Sequence, residues 1–279
     1  LEQGKLGFQN IMEILPLFLD HDELKVVTSR YGLTLETPDV FRHSATLQDI
    51  GTAEHKTRER IRQIQETALQ KLRSNLARCC LDPVRRYFAA FMTRTGLVAS
   101  CEDVFALSQE PVTAGRNPCG LLMLLSELSP QEISCYNRFF STLPCSVLDK
   151  IEKFCLALLE GKNLPVSQDE LSASAKGVPE FRALNSLPRI ISVLLDHSPE
   201  VAATVDNRYF LYARGGQKFL LEIMNEQVKR PVHYRAVTHA LNERLKPRSR
   251  KGSGFVLDLL NSNPQCTRVD RGIYDFKAV

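Results

Sequence analysis

The sequence predicts a mainly α-helical protein in which a helix-turn-helix is followed by tandem winged-helix-like α+β modules. Two observations predict this fold class. Between residues 10 and 73, apolar residues recur every three to four positions, which is typical of packed amphipathic helices. Beyond residue 79, a weak unit of about 65 residues occurs three times, which indicates repeated modules rather than one large domain.

The composition fits a folded protein that is only mildly basic. Its 279 residues are 43% hydrophobic and carry a net charge of +4, so a core can form and affinity for a polyanion must come from local clusters. One cluster lies between Arg42 and Arg86, where ten Lys or Arg face five Asp or Glu. The other is KPRSRK, from Lys246 to Lys251. Non-specific attraction to nucleic acid is expected to reside in these two clusters.

The sequence favours a cytoplasmic protein with no membrane, metal or cofactor partner. No run approaches the roughly 18 apolar residues of a spanning helix. The eight cysteines form no CxxC pair and no zinc-binding spacing with histidine, so they are predicted to be buried thiols in a reducing cytosol. The chain begins with Leu rather than Met, which leaves open a fragment or processed chain that lacks an upstream domain.

The first 78 residues predict a series of helices with defined ends. Gly32 suits the C-cap of the second amphipathic segment. Thr46 and Asp49 form a capping-box pattern at the start of the next helix, and Thr57 can cap a longer helix from Arg58 to about Arg73. The short segment between the last two helices predicts the turn of a helix-turn-helix.

The last of these helices has the properties of a recognition helix. One face is apolar and would dock on the preceding helices, whereas the amino-terminal part of the other face would point into a major groove. The apolar face holds Ile61, Ile64, Ala68 and Leu72, and the polar face holds Arg58, Glu59, Arg62, Gln63 and Glu66. Arg and Gln can form bidentate bonds with guanine and adenine edges, and Glu can accept a bond from cytosine. The alternative is a charged face that contacts only solvent.

The motifs RYGL, TLQDIG and TRERIRQIQETALQKLR, which begin at residues 30, 46 and 57, give this segment a family resemblance. In order and spacing they resemble region 4 of bacterial sigma-70-type factors, over about residues 10–78. The resemblance implies a domain that reads the minus 35 promoter element and touches the polymerase flap. It also implies base contacts for Arg58, Glu59 and Gln63 and a backbone contact for Arg62. With Thr57, these residues are the predicted DNA-binding set of the module.

Two features depart from that family. Glu54 and Lys56 stand where the family usually has apolar residues. A buried charge is costly unless it is paired, so we expect a shifted turn or side chains that reach outward to solvent. Nothing resembles the sigma region that opens the minus 10 element, so the chain alone is not expected to start transcription.

The repeated unit predicts winged helices. It is clearest in LLDHSPEVAATVDNRYFLY from residue 194 and LLNSNPQCTRVDRGIYDF from residue 259, and fainter in LLSELSPQEISCYNRFF from residue 124. Each copy should close with an aromatic strand, at Phe139 to Phe140, Tyr209 to Tyr212 and Tyr274 to Phe276. Gly272 would form the tight turn of the last wing. For the first two copies we favour a purely structural role, because their third helices are too apolar to line a groove.

The third copy, at about residues 216–279, resembles the HARE-type winged helix of the delta subunit of some bacterial RNA polymerases. The resemblance implies association with nucleic acid or polymerase, without a code that assigns bases to residues. In this copy we predict that Lys246, Arg248, Arg250 and Lys251 of the KPRSRK segment contact phosphates. The alternative is a disordered, solvated loop.

Four domains are predicted, at residues 1–78, 79–143, 144–214 and 215–279. The sequence has no Walker loop, HExxH or GxSxG motif, and its six histidines are isolated, so nothing supports an enzyme.

The sequence therefore predicts a sequence-specific, sigma-factor-like transcription regulator of the bacterial cytosol. Its expected partners are double-stranded DNA and, as a candidate, RNA polymerase core, and no oligomeric state is specified. One alternative is an interaction protein that holds polymerase or another partner and binds DNA weakly. Another is a DNA-targeting subunit of a larger defence or restriction complex.

Overall fold

The computed structural model describes residues 11–110, 116–162, 164–212, 215–226 and 231–276. The chain divides into two compact units, residues 1–145 and 146–279. The first unit holds the helix-turn-helix and the first copy of the repeat, and the second unit holds the other two copies. No helix in the described ranges combines the length and the apolar character that a membrane crossing requires.

Five helices open the first unit, and their ends follow the capping signals of the sequence. They are α1 (Ile11–Phe18), α2 (His21–Tyr31), α3 (Val40–His43), α4 (Leu47–Ala53) and α5 (Arg58–Leu72). Gly32 ends α2 in the left-handed region, with φ of 62°. Thr46 and Asp49 exchange the two bonds of a capping box, and the Thr57 hydroxyl accepts a bond from the backbone N–H of Arg60. The predicted helix starts and the Gly32 cap are confirmed.

The three copies of the repeat share one order of elements: helix, strand, helix, helix and two strands. The first copy comprises α6 (Asn75–Arg94), β1 (Val98–Ser100), α7 (Cys101–Phe105), a 3-10 helix (Ala106–Gln109), α8 (Pro118–Leu128), β2 (Ser134–Tyr136) and β3 (Phe139–Ser141). The second comprises α9 (Cys145–Glu160), β4 (Val166–Ser167), α10 (Gln168–Lys176), α11 (Pro179–Arg182), α12 (Leu187–His197), β5 (Val201–Ala203) and β6 (Arg208–Leu211). The third comprises α13 (Gly215–Glu226), β7 (Val232–His233), α14 (Tyr234–Arg244), a 3-10 helix (Pro247–Ser249), α15 (Ser253–Ser262), β8 (Cys266–Asp270) and β9 (Ile273–Phe276).

Each copy builds a three-stranded antiparallel sheet with its last strand in the centre. The strand orders are β1-β3-β2, β4-β6-β5 and β7-β9-β8. The central strands carry the aromatic residues that the sequence marked, among them Phe139, Tyr209 and Tyr274, and all three are buried. Gly272 lies in the last wing with φ of 75°. Three winged-helix-like units are therefore present, as predicted.

In the first unit, the helix-turn-helix and the first copy share one hydrophobic core. Residues of α1, α2 and α5 pack in the same cluster as residues of α6, α7 and α8. The Asn117 side chain donates to the carbonyl oxygens of Leu35 and Thr37, and an added Cβ at Gly120 would overlap the carbonyl oxygen of Tyr31. The predicted boundary between residues 78 and 79 falls inside α6, which begins at Asn75.

The second and third copies also share a core. Ala202 and Phe210 of the second copy lie in the same buried cluster as Phe219, Val237 and other residues of the third. The predicted boundary between residues 214 and 215 falls at the start of α13, whereas the apolar packing continues across it.

The cysteines are less buried than predicted. All eight are free, but only Cys101, Cys119 and Cys155 are buried, whereas Cys79, Cys135 and Cys145 are exposed. Burial in this chain follows the apolar stripe of each helix, and Cys79 and Cys145 lie on helices but outside that stripe. The prediction of buried thiols was therefore wrong for these three.

Candidate nucleic-acid interface

Helix α5 is held by two separate clusters of apolar side chains. Its first two turns pack Ile61 and Ile64 against Val26 of α2 and Ile50 of α4. Its last two turns contribute Ala68, Leu69 and Leu72 to the large core of the first unit. On the side of α2, the Gln65 amide donates to the buried Tyr31 hydroxyl at 3.0 Å. These contacts fix which face of α5 is exposed to solvent.

The turn between α4 and α5 requires a glycine. A Cβ at Gly51 would lie 2.7 Å from the carbonyl oxygen of Lys56, closer than real Cβ contacts. The Gly51 carbonyl oxygen also accepts a bond from the Lys56 N–H at 2.9 Å. His55 turns the chain with φ of 53°, in the left-handed region. The absence of a side chain at Gly51 thus allows the backbone before α5 to pass close to α4.

The amino-terminal half of α5 presents the predicted DNA-binding residues. Thr57, Arg58, Glu59, Arg62 and Gln63 are all exposed. Arg58 and Arg62 are four residues apart and lie on one flank of the helix, whereas Gln63 lies on the other flank. Because the side chains of the first turns of such a helix are those that reach base edges, both flanks are available to a duplex.

Glu59 and Arg62 bind each other. The Arg62 guanidinium donates to both oxygens of the Glu59 carboxylate, at 3.0 and 2.9 Å. This bond holds the pKa of Glu59 below its usual range and raises that of Arg62. At neutral pH, Glu59 is therefore an ionised acceptor that holds the Arg62 guanidinium beside it.

Arg60 is an exposed cation of this face that the sequence analysis did not assign. Its guanidinium donates to the Gln63 side chain at 3.4 Å. Together with Gln63 and Thr67 it borders a cavity of about 160 Å³ whose other side is acidic, with Asp20, Asp22 and Glu23 at the start of α2. The sequence could have indicated this contact, because residues 60 and 63 are three positions apart and therefore neighbours on the helix surface. The acidic side makes this flank less attractive to phosphates than the flank of Arg58 and Arg62.

The two charges that depart from the family pattern are paired at the surface. Glu54 forms an ion pair with Lys25 at 2.6 Å, and Lys56 forms one with Asp22 at 2.5 Å. The bond from Lys56 lowers the pKa of Asp22. Both side chains are half-buried, and each charge has a partner of opposite sign.

The KPRSRK segment is an ordered turn, not a mobile loop. Its 3-10 helix is attached to the second copy, since the Lys246 N–H donates to the Ala203 carbonyl and the Ala203 N–H donates to the Ser249 hydroxyl, both at 2.9 Å. The alternative of a disordered, solvated loop was therefore wrong. The reason is that Ser249 is buried and joins the turn to the edge of a neighbouring sheet.

Three of the four cations in this segment contact protein groups. Lys246 binds both oxygens of Asp196 at 2.9 Å, and Arg248 contacts the ring of His197. The Lys251 ammonium lies 4.1 Å from the centre of the Tyr212 ring, a cation–π contact. Arg250 is exposed. Of the predicted phosphate-binding cations, Lys246 is therefore already paired with a carboxylate.

Within the described residues, no group of three or more His, Cys, Asp or Glu side chains is arranged to hold a metal ion. The candidate site described above consists of α5, its exposed cations and the turn that positions the helix.

Residues 19–74 match the family Sigma-70, region 4. The match lies between the end of α1 and the start of α6 and includes every predicted DNA-binding residue of α5. A search of curated proteins and a search of solved structures each found no match to the chain.

The match establishes the region 4 segment, residues 19–74, as a sigma-factor-like helix-turn-helix. It supports a DNA-binding role in transcription for the chain, and the domain that it matches is regulatory rather than enzymatic.

Proposed function

We propose that the chain is a sequence-specific DNA-binding transcription regulator that reads a duplex with α5 and docks on RNA polymerase core. The observation that carries the proposal is that α5, within the region 4 segment, has one buried apolar face and one exposed polar face. Its apolar face is buried on α2 and α4, whereas Arg58, Glu59, Arg62 and Gln63 are all exposed at its amino-terminal end. Such a helix is rigid, exposed and chemically suited to base edges.

The exposed side chains of α5 suit different parts of a duplex. Arg58 is exposed at the first position of the helix and can form two bonds with one guanine. Arg62 is oriented by Glu59, which suits a contact with the sugar-phosphate backbone that fixes the position of the helix. Gln63 lies one turn further on the opposite flank, where it can reach an adenine edge. Specificity is therefore assigned to Arg58 and Gln63, and positioning to Arg62.

The first two winged copies contribute scaffolding. In α8, eight of the eleven residues are buried, and α12 buries Leu187, Ile190, Ile191 and three further residues. A helix that is buried on most sides cannot enter a groove. The proposal therefore assigns duplex reading in the first unit to α5 alone.

Docking on polymerase is supported by the match to region 4, and it is tested directly by binding. Purified core RNA polymerase should retain the full chain in size-exclusion chromatography. Loss of the complex on Gly51→Ala, which disturbs the region 4 segment, and its persistence in Arg58→Ala would place docking on that segment and separate it from base reading. No complex with core polymerase would contradict this part of the proposal.

A second candidate is an interaction protein that binds DNA weakly. The acidic side of the cavity next to Arg60 and Gln63 favours it, because the three carboxylates there share only two lysine partners among the described residues, Lys56 and Lys71, and the negative charge in excess repels phosphates on that flank. This candidate predicts a complex with polymerase and no preferred DNA sequence.

Base reading by α5 gives the first prediction. Arg58→Ala and Gln63→Ala should each weaken binding to the preferred duplex by about 1–3 kcal/mol, because a bidentate base contact contributes that much to discrimination. Gln70→Ala is the matched control, since Gln70 is an exposed glutamine of the same helix that lies beyond the first turns. Fluorescence anisotropy with the preferred duplex and a scrambled duplex measures both affinity and preference.

The control variant should bind like the parent chain. If Arg58→Ala and Gln63→Ala also bind and discriminate like the parent, α5 is not the reading helix.

A further inference from the structure

The third winged copy has a cavity that the duplex interface on α5 does not use. It measures about 480 Å³ and lies between the start of α14, the helix α15 and the wing formed by β8 and β9. Its lining includes Tyr234, Arg235, Arg268 and Arg271. No acidic residue is among the described residues that line it. A concave surface with three guanidinium groups and an aromatic ring suits an anion attached to a flat ring.

None of the carboxylates that the structure describes neutralises the three arginines of the cavity. The Arg268 side chain donates to the backbone carbonyl of Asp270 at 3.3 Å, and the Arg235 side chain donates to the Tyr234 hydroxyl at 3.4 Å. Within the described residues, no carboxylate forms an ion pair with Arg235, Arg268 or Arg271. Guanidinium groups in this state retain their capacity for phosphate oxygens.

The combination of arginines with an aromatic ring at this position occurs in the third copy and not in the first two. Ser100, Ser167 and His233 are equivalent, because each ends the first strand of its sheet and caps the next helix. The two residues that follow are Cys101 and Glu102 in the first copy, Gln168 and Asp169 in the second, and Tyr234 and Arg235 in the third. The position that is acidic in the first two copies is therefore basic in the third, with an aromatic ring next to it.

The arginines at or beside the wings also distinguish the third copy, because those of the first two copies are bound to carboxylates. Arg138 in the wing of the first copy binds both oxygens of Asp39, at 2.5 and 2.7 Å, and Arg208 in the second binds Asp206 at 2.7 Å. In the third copy, Arg268 and Arg271 face the cavity instead. The close approach of the wing depends on Gly272, where an added Cβ would lie 3.0 Å from the His233 ring and 3.1 Å from the Tyr234 ring.

The Tyr234 ring is half-exposed and packs on one side against the His233 ring, with 4.7 Å between the ring centres. We infer that this cavity binds one nucleotide of a single-stranded DNA segment, with its phosphate on the arginines and its base against the part of the Tyr234 ring that His233 leaves exposed. In a duplex, each base is stacked on both faces and is out of reach of a protein ring, whereas an unpaired base can stack on an aromatic side chain. The phosphate of the same nucleotide supplies the anion that the arginines need. The choice of DNA rather than RNA rests on the duplex-reading function proposed for α5.

The probe is a labelled twelve-nucleotide oligo(dT), which forms no duplex of its own, titrated with the full chain and followed by anisotropy. Tyr234→Leu should weaken its binding roughly 5- to 150-fold, the loss expected for one stacked base. Tyr234→Phe, which keeps the ring, should stay within about twofold of the parent. Gln168→Ala changes the equivalent position of the second copy and should have no effect. Arg271→Ala should lower the slope of log affinity against log salt by about 0.7, the value for one phosphate of a single strand.

Arg58→Ala distinguishes this site from the duplex interface. It should impair binding of the preferred duplex and leave oligo(dT) binding unchanged, whereas Tyr234→Leu should do the reverse. The inference is overturned if the parent does not bind oligo(dT), if Tyr234→Leu binds it like the parent, or if Tyr234→Phe is as weak as Tyr234→Leu. Tighter binding of the matching oligo(U) RNA would overturn the choice of DNA. Thermal melting of each variant checks that the third copy remains folded.

Discussion

At the scale of single residues, the exposed face of α5 owes its chemistry to pairs of side chains. The sequence was sufficient to identify Arg58, Glu59, Arg62 and Gln63 as exposed, because the apolar stripe of the helix fixes which positions lie opposite to it. It did not predict that the Arg62 guanidinium would donate to both carboxylate oxygens of Glu59. A spacing of three allows such a bond, but rotamers decide whether it forms.

The Glu59–Arg62 pair gives a prediction for pH. Since the bond to Arg62 lowers the pKa of Glu59, the pair is present at neutral pH and is lost as the pH falls through that lowered value. Arg62→Ala should therefore raise the pKa of Glu59 towards the ordinary glutamate value, as measured by carboxyl chemical shifts in an NMR titration. Arg86→Ala, an exposed arginine of α6, is the control. An unchanged Glu59 titration in Arg62→Ala would show that the pair does not form in solution.

At the scale of elements, the close approach of α4 and α5 depends on one residue without a side chain. Glycine inside a helix normally lowers its stability, so the sequence marks Gly51 as unusual without revealing what it approaches. The structure supplies the reason, which is the Lys56 carbonyl oxygen next to it. The turn thus links the identity of residue 51 to the orientation of the reading helix.

Gly51→Ala should lower the free energy of unfolding by roughly 1–3 kcal/mol, because the new Cβ has no room beside rigid backbone. Gly254→Ala is the matched control within α15, where a Cβ would have no atom within 4 Å. That substitution should be neutral or stabilising by up to about 1 kcal/mol, as expected for alanine in place of glycine in a helix. Urea denaturation of the two variants and the parent makes the comparison. Equal stability of Gly51→Ala and the parent would contradict the geometry of the turn.

The KPRSRK segment shows the limit of composition as a guide to mobility. Its Lys, Arg, Ser and Pro residues are typical of solvated loops, yet its backbone is bonded to Ala203 and Lys246 is bound to Asp196. Both partners are distant in sequence, so no local pattern could reveal them. Two of the four cations consequently differ in role, with Lys246 bound to a carboxylate and Arg250 exposed to solvent.

This division predicts different effects for two substitutions. Lys246→Ala should lower the free energy of unfolding by roughly 1–3 kcal/mol, between the values for exposed and buried ion pairs, because Asp196 is left without its partner. Arg250→Ala should leave stability unchanged and flatten the salt dependence of duplex binding by about 0.9 in the log–log slope, if this residue neutralises one phosphate. Denaturation and salt titrations of the same two proteins measure both quantities. A destabilised Arg250→Ala together with an unaffected Lys246→Ala would reverse the assignment.

At the scale of the whole molecule, the order of elements was predictable and the sharing of cores was not. The repeated Leu pairs, aromatic strands and Gly272 were sufficient to predict three winged-helix-like units, because they mark a third helix, a central strand and a wing turn. The packing of α6 and α8 with α1, α2 and α5 into one cluster was not predicted. Apolar stripes show which face of a helix is buried, but they do not name the helix that covers it.

The burial of α8 and α12 bears on where the proposed binding surfaces lie. Because most residues of these two helices are buried, we place duplex reading on α5 in the first unit and the nucleotide site between α14, α15 and the last wing in the second. In this proposal, the third helices of the first two copies are structural.

Sequence-specific recognition of duplex DNA by α5 is the central claim, and a selection of bound sequences from random duplexes tests it most directly. The selection is run with the full chain in the presence and in the absence of core RNA polymerase, and in parallel with Arg58→Ala. The account predicts enrichment of one sequence by the parent chain, in at least one of the two conditions, with relaxed preference at one position in Arg58→Ala. Enrichment of no sequence in either condition would contradict it and would favour an interaction protein that uses the same fold to hold a partner.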